Sequence, residues 1–328
     1  MFGAWFARSG DNRFYLLAAT LALILIALGS NLVGLKVGKW TENIGALATW
    51  AVGILLVAAA WMVWMRRGSA TPMHIIPSWS WGTVNFWAAI AYATSGMEGP
   101  GMMAGEIREP ERTMRLAGWI ATGFATAFYV SATVAFLVVL SPEHISELNG
   151  FAEIGNSAGQ LLGAVWFSPL IALLVVASGV GFVGGLGTAT SRLPFAAGVD
   201  RLLPAAFSKV HPRWGTPYVS ILALGMVATI LLITYQLGDT LRAAYDEMVS
   251  LMVITGFLPY LYIFGSAWKA GKRLSAASGG AVTVLAMLCA VVPPSEITNV
   301  WLFEGKLAAG TLAVVASAWL VYRRRNLP

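Results

Sequence analysis

The sequence predicts an all-α polytopic membrane protein, and three observations carry that prediction. Hydrophobic residues make up 58% of the 328-residue chain and charged residues only 11%, far below the quarter or so that soluble domains carry. Mean hydropathy is +0.72. The apolar residues also gather into successive runs of about 20, each long enough as a helix to cross a hydrocarbon core of about 30 Å.

Hydropathy places about nine spans, at roughly 14–35, 43–65, 80–104, 116–140, 161–189, 217–236, 246–267, 277–294 and 306–322. The opening MFGAWFARSGDNR has no basic region ahead of an apolar core, so it does not read as a cleavable signal peptide. Between the first two spans, SNLVGLKVGKW holds Lys36 and Lys39. The third span is apolar at both ends but contains SGMEGPG, and the charged GEIREPERTMR separates it from the fourth. SPEHISELNGFAEIGNSAG, with three glutamates and no Lys or Arg, is read as a loop before the fifth span. A basic connector leads from that span to GTPY at the start of the sixth, and the ninth ends in Arg323-Arg324-Arg325. No long polar linker intervenes, so the expectation is one membrane domain over 1–328.

The net charge of +6 does not point to nucleic acid, because the basic residues form short clusters between apolar runs. One set of alternate loops holds 15 of the 21, including Lys36, Arg108, Arg192 and the terminal arginines. The other set holds Arg8, Arg13, Arg66, Arg67, Arg242 and Lys306. Cytoplasmic loops carry the basic excess, which puts the C-terminus in the cytoplasm and, over nine spans, the N-terminus outside. An exported N-terminus bearing Arg8 and Arg13 is the pattern expected if an odd number of helices is absent from the front. Trp40, Trp79, Trp81, Trp214, Trp268 and Trp301 fall near span ends, where an amphipathic ring suits the headgroup region. Cys289 is the only cysteine and forms no intrachain disulfide; His74, His144 and His211 are scattered and suggest no metal site.

Within a bilayer, non-helical backbone is tolerated only where protein buries it or water reaches it. Gly96, Gly99, Pro100 and Gly101 fall within the third span, and proline removes a donor while glycine makes irregular dihedrals accessible. The span is therefore expected to break near 95–99 and resume as a second half-helix. Transporters use such breaks to present backbone groups to a substrate; a plain proline kink is the structural alternative. Glu98 adds an ionisable group at membrane depth, where desolvation favours the neutral acid and suits it to carrying a proton. The alternating charges of GEIREPER read either as a salt-bridged clasp to the next span or as a solvated loop.

Gly96-Met97-Glu98 followed by Glu106-Ile107-Arg108-Glu109-Pro110-Glu111-Arg112 resembles the sixth-helix signature of the amino acid–polyamine–organocation transporters, with Glu109 where asparagine is usual. A second stretch, 187–220, resembles the junction of that family's helices eight and nine. It contains Ser191-Arg192, Asp200-Arg201-Leu202-Leu203-Pro204 and Gly215-Thr216-Pro217, with Arg201 replacing the usual glycine. SNLVGLKVGKWTENIGALATW resembles the junction of helices four and five.

The resemblance implies the leucine-transporter inverted-repeat fold, with the nine spans matching helices 4–12 and helices 1–3 lacking. It implies secondary transport of an amino acid or related amine across the cytoplasmic membrane, with H+ or Na+ as candidate coupling ions. Membrane lipids surround such a protein, and no cofactor or catalysis is involved. Ser95, Gly96, Met97, Glu98 and Gly99 then match the substrate-binding break, with Glu98 the proton-coupling candidate. Tyr92 matches an aromatic gate or, equally, an aromatic on a packed face. ASGVGFVGGLG, with Leu186, matches a stretch facing the site, although small residues also let helices approach closely. Ser250 and Thr255 are path-lining hydroxyls or bond back to the preceding turn. Glu106, Arg108, Pro110, Arg112, Arg192 and Asp200 belong to the cytoplasmic motifs. NIGALATWAVG has no lysine where some relatives carry one, leaving the coupling ion open. The alternative is a transport-inactive membrane protein or binding subunit.

Overall fold

Each apolar run of the sequence contributes a helix, and no strand occurs among the described residues. The computed structural model describes residues 13–72, 81–96, 98–142, 145, 149–236, 241–294, 297 and 299–325. The expectations placed on Arg8, His74, Trp79, Met97 and His144 lie outside those residues. In chain order the helices are α1 Arg13–Val33, α2 Leu35–Arg67, α3 Val84–Ala93, α4 Glu98–Met102, α5 Pro110–Val139 and α6 Gly150–Leu162. They continue with α7 Phe167–Thr190, α8 Arg192–Val199, α9 Tyr218–Gln236, α10 Leu241–Lys269, α11 Arg273–Val291 and α12 Val300–Arg325.

Among the described residues, six segments are long and apolar enough to cross a membrane: Lys36–Arg67, Pro110–Val139, Phe167–Val199, Tyr245–Lys269, Arg273–Val291 and Val300–Val321. Leu17–Val33, Val84–Ala93 and Tyr218–Ile233 are apolar but shorter. Large side chains such as Leu25, Trp61, Val165, Met226 and Leu285 are exposed around them, as lipid-facing helices require. The chain is an all-α polytopic membrane protein.

Two boundaries differ from the sequence reading. The turn between α1 and α2 is a single residue, Gly34, at φ +109, a conformation that glycine adopts without a Cβ clash. Lys36, Lys39 and Glu42 consequently ride on the first turns of α2 rather than in a loop. The acidic stretch read as a loop contains α6, because Ile154 and Ala158 lie one turn apart and bury completely.

The chain forms two compact units. The first takes in 1–76, 97–200 and 204–229. Its core joins Leu56, Ala59 and Val63 of α2 to Ala135 and Val138 of α5, Ile154 and Ala158 of α6, and Phe167 and Ile171 of α7. In the same unit α2 and α7 meet backbone to backbone: a Cβ on Gly45 would lie 2.5 Å from the Gly181 Cα. Beside that contact, the Thr49 and Ser178 hydroxyls are 2.6 Å apart.

The second unit takes in 77–96, 201–203 and 230–328. Its core joins Ala88 of α3 to Val253, Ile254 and Phe257 of α10, Ala286 and Ala290 of α11, and Phe303 and Leu307 of α12. Asn85, buried on α3, donates from Nδ2 to the carbonyls of Ala290 (3.3 Å) and Val292 (2.9 Å) and to Ser250 Oγ (3.2 Å). One amide thus supplies the C-terminal carbonyls of α11, which have no helical donor of their own, and ties α3 to α10.

Candidate functional site

The third apolar run is interrupted. Helix α3 stops at Ala93, and the next helical residue is Glu98. Hydroxyls and backbone close the stopped end: Thr94 Oγ1 donates to the Ala91 carbonyl (2.8 Å), while Ser95 donates to the Tyr92 carbonyl from both Oγ (2.6 Å) and N–H (2.9 Å). Gly96 follows at φ +111, in a region that side chains rarely occupy. Its N–H, turned out of any helix, donates to the Tyr260 hydroxyl at 3.3 Å.

Pro100 does not break the helix. It is the third residue of α4, within the first turn, where a missing N–H removes no helical bond. The break is made by residues 94–96, and Glu98 opens the resumed helix rather than lying in the unwound stretch. A carboxylate in a first turn meets the positive end of the peptide dipoles. Neither Gly96 nor Gly99 has an atom within 4 Å of the position a Cβ would take.

Tyr92 packs in the second unit against α10. Its ring lies against Gly256, where a Cβ would come within 2.7 Å of Tyr92 Cε2. It also meets Phe257 edge-on, with centroids 5.5 Å apart, and Phe257 meets Tyr260 in the same way at 5.4 Å. An aromatic ladder on α10 therefore supports the end of α3 and reaches the Gly96 N–H. Tyr260 and Gly256 were not singled out from the sequence; the signal was Gly256-Phe257 and Pro259-Tyr260 interrupting an apolar helix. Pro259 lies inside α10 and has no N–H to offer the Thr255 carbonyl four residues back.

The hydroxyl candidates have internal partners. Thr255 Oγ1 donates to the Leu251 carbonyl at 2.7 Å, and Ser250 Oγ accepts from Asn85. Leu186, in the first unit, is half-exposed on an uninterrupted α7.

Two of the loop-motif residues, Glu106 and Arg192, meet within the first unit. Glu106, in a 3₁₀ turn after α4, accepts from Arg192 Nε at 3.1 Å and Nη2 at 3.4 Å, and Arg192 Nη1 donates to the Thr188 carbonyl at 2.6 Å. The clasp therefore runs to the α7–α8 junction rather than to the next helix. Arg112 pairs with Glu109, at 3.6 Å and largely in solvent. The Arg108 carbonyl accepts from Thr113 Oγ1, Pro110 opens α5, and Asp200 closes α8 with its N–H on the Ala196 carbonyl.

The family profile described as "Amino acid permease" matches residues 1–316. An uncharacterized transporter of Legionella pneumophila is 24% identical over 97% of this chain and 74% of its own length. The cadaverine/lysine antiporter of Escherichia coli is 25% identical over 74% of this chain and 55% of its own. An uncharacterized transporter of Mycobacterium tuberculosis is 26% identical over 66% of this chain and 48% of its own. The chain thus spans about three quarters of the first relative and about half of the other two.

Proposed function

The chain belongs to the amino acid permease family, and from that premise we propose that it moves an amino acid or related amine across the cytoplasmic membrane by alternating access. Its family and relatives are transporters, not enzymes. The carrying observation is the interruption between Ala93 and Glu98 in an apolar segment, with Gly96 in a non-helical conformation. Non-helical backbone of that kind can bind the charged ends of a small zwitterion without burying a further ionised side chain.

In this reading Ser95, Gly96, Met97, Glu98 and Gly99 form the substrate segment. Tyr92 holds its first half, and Glu98 takes up the coupling proton. The leucine-transporter inverted repeat supplies the moving parts, and the C-terminal arginines lie in the cytoplasm. The E. coli relative is named for lysine and cadaverine, and a rabbit relative for large neutral amino acids, so the substrate panel must contain both classes.

The test is counterflow in liposomes reconstituted with this chain. Accumulation of a labelled amino acid or diamine, competed by its own class, is the expected result. Absence of counterflow across the panel would overturn the proposal. For Glu98, the substitution Glu98→Gln should flatten the pH dependence of uptake while leaving uptake measurable; an unaltered pH profile removes the coupling role.

A further inference from the structure

A separate polar assembly lies inside the first unit, where α1, α2 and α7 pack together. Three oxygens converge on the side of Gly38 where a Cβ is missing. A Cβ built there would lie 3.1 Å from Asn31 Oδ1, 3.8 Å from the Ser30 carbonyl and 3.9 Å from Glu42 Oε1.

Each oxygen is placed by a different part of the structure. Asn31 is only 5% exposed, and its Nδ2 donates to the Gly184 carbonyl at 2.7 Å, which fixes the sense of the amide. Asn31 Oδ1 then has no donor among the described residues. Ser30 lies in the last turn of α1, where carbonyls lack helical donors and carry the negative end of the helix dipole. The Gly34 N–H that a longer helix would give it goes to the Asn31 carbonyl instead (3.2 Å). Glu42, four residues after Gly38, leans back over it. Gly184 and Gly185 leave room for its side chain, with Cβ positions 3.8–3.9 Å from its Cγ and Cδ. Thr188 Oγ1 donates to Glu42 Oε1 at 2.7 Å.

Among the described residues no Lys, Arg or His forms an ion pair with Glu42. Arg192 is the nearest cation along α7–α8 in the chain, and it is engaged by Glu106 and the Thr188 carbonyl. Glu42 lies half-buried in the opening turns of the apolar segment Lys36–Arg67. A half-buried carboxylate without a cation, and a buried amide oxygen without a donor, are each unfavourable alone.

We propose that Asn31 Oδ1, the Ser30 carbonyl and the Glu42 carboxylate form a binding site for a small monovalent metal cation of the Na+ class. All the donors are hard oxygens, which suit alkali and alkaline-earth ions rather than zinc or copper. One carboxylate balances one positive charge. A cation beside Gly38 draws on all three oxygens. The site is independent of which substrate is carried, and its test uses no substrate.

The experiment is thermal unfolding of the purified chain in detergent, in NaCl against choline chloride at equal ionic strength. Na+ should raise the unfolding midpoint saturably; at about ten times its dissociation constant it favours the native state roughly 11-fold. Glu42→Gln should remove the Na+ increment. Gly38→Ala fills the space while keeping the carboxylate and should do the same, so it decides the matter if Glu42→Gln fails to fold. Superimposed NaCl and choline curves would overturn the site, as would an increment that survives Gly38→Ala. A rise reproduced by acid in choline, with nothing added by Na+, would make Glu42 a proton site and likewise overturn the cation assignment.

Discussion

Replacing Arg201 by glycine should stabilise this protein. Among the described residues, only Arg201 (φ 59) and Glu109 (φ 45) are non-glycine residues in the left-handed region. They are also the two positions where the chain departs from the motifs of the transporters it resembles, which usually have glycine and asparagine there. Glycine has no Cβ to clash in this region, and asparagine tolerates it through its short polar side chain. An L-residue with a longer side chain loses about 1–2 kcal/mol there, while glycine adds about 0.5–1 kcal/mol of unfolded-chain entropy. The net gain for Arg201→Gly is about 0.5–1 kcal/mol, or about 0.7–1.5 °C in the unfolding midpoint for a chain of this length. Arg201 is exposed and forms no ion pair among the described residues, so removing its charge alone should cost little. Arg201→Ala, which keeps the Cβ, is therefore the control. In detergent-solubilised protein, Arg201→Ala should melt with the parent and Arg201→Gly above it. Equal midpoints for Arg201→Ala and Arg201→Gly would show that backbone strain is not what the position stores.

Gly45→Ala should lower stability by about 1–3 kcal/mol through overpacking, offset by up to about 1 kcal/mol of helix propensity. Gly123→Ala, whose Cβ meets nothing within 4 Å, is the reference, and melting together with it would refute the α2–α7 contact. Asn85→Ala should cost about 1–3 kcal/mol, because it strips the donor from Ser250 and two carbonyls; a neutral result in thermal unfolding would show that these groups find other partners. Epitope tags at residue 145 and after Pro328 should be accessible from opposite faces of the membrane, and labelling from one face would overturn the orientation drawn from the basic residues.

The apolar runs were legible because length and composition alone decide whether a helix can cross a bilayer. Their ends were not. Gly34 absorbs a helix-to-helix turn in one residue, so Lys36, Lys39 and Glu42 look like a loop while riding on α2. Helix α6 was hidden because its apolar face is narrow and lies next to glutamates. The interruption and its approximate position were visible around Gly96, but its C-terminal limit was not, since Pro100 reads as a breaker from sequence and serves as a first-turn residue in α4. The partner of the Gly96 N–H, Tyr260, lies 164 residues along the chain, and no local pattern states that pairing. Glu106 shows the same limit: its charge announced a partner, but Arg192 is 86 residues away.

The stretch ASGVGFVGGLG had two readings, a face toward substrate or a surface for close helix packing, and neither describes all of it. Gly181 packs against the backbone of Gly45. Gly184 receives the Asn31 amide and, with Gly185, makes room for the Glu42 side chain. Gly179 has no atom within 4 Å of its Cβ position, and Leu186 is half-exposed. Small residues at helical spacing therefore serve different neighbours around the axis of α7. On one side the absence of a side chain brings a helix close; a turn later it admits a carboxylate. That second use explains how Glu42 is accommodated beside α7 without displacing the helix, and it is why the oxygens around Gly38 can face one another at all.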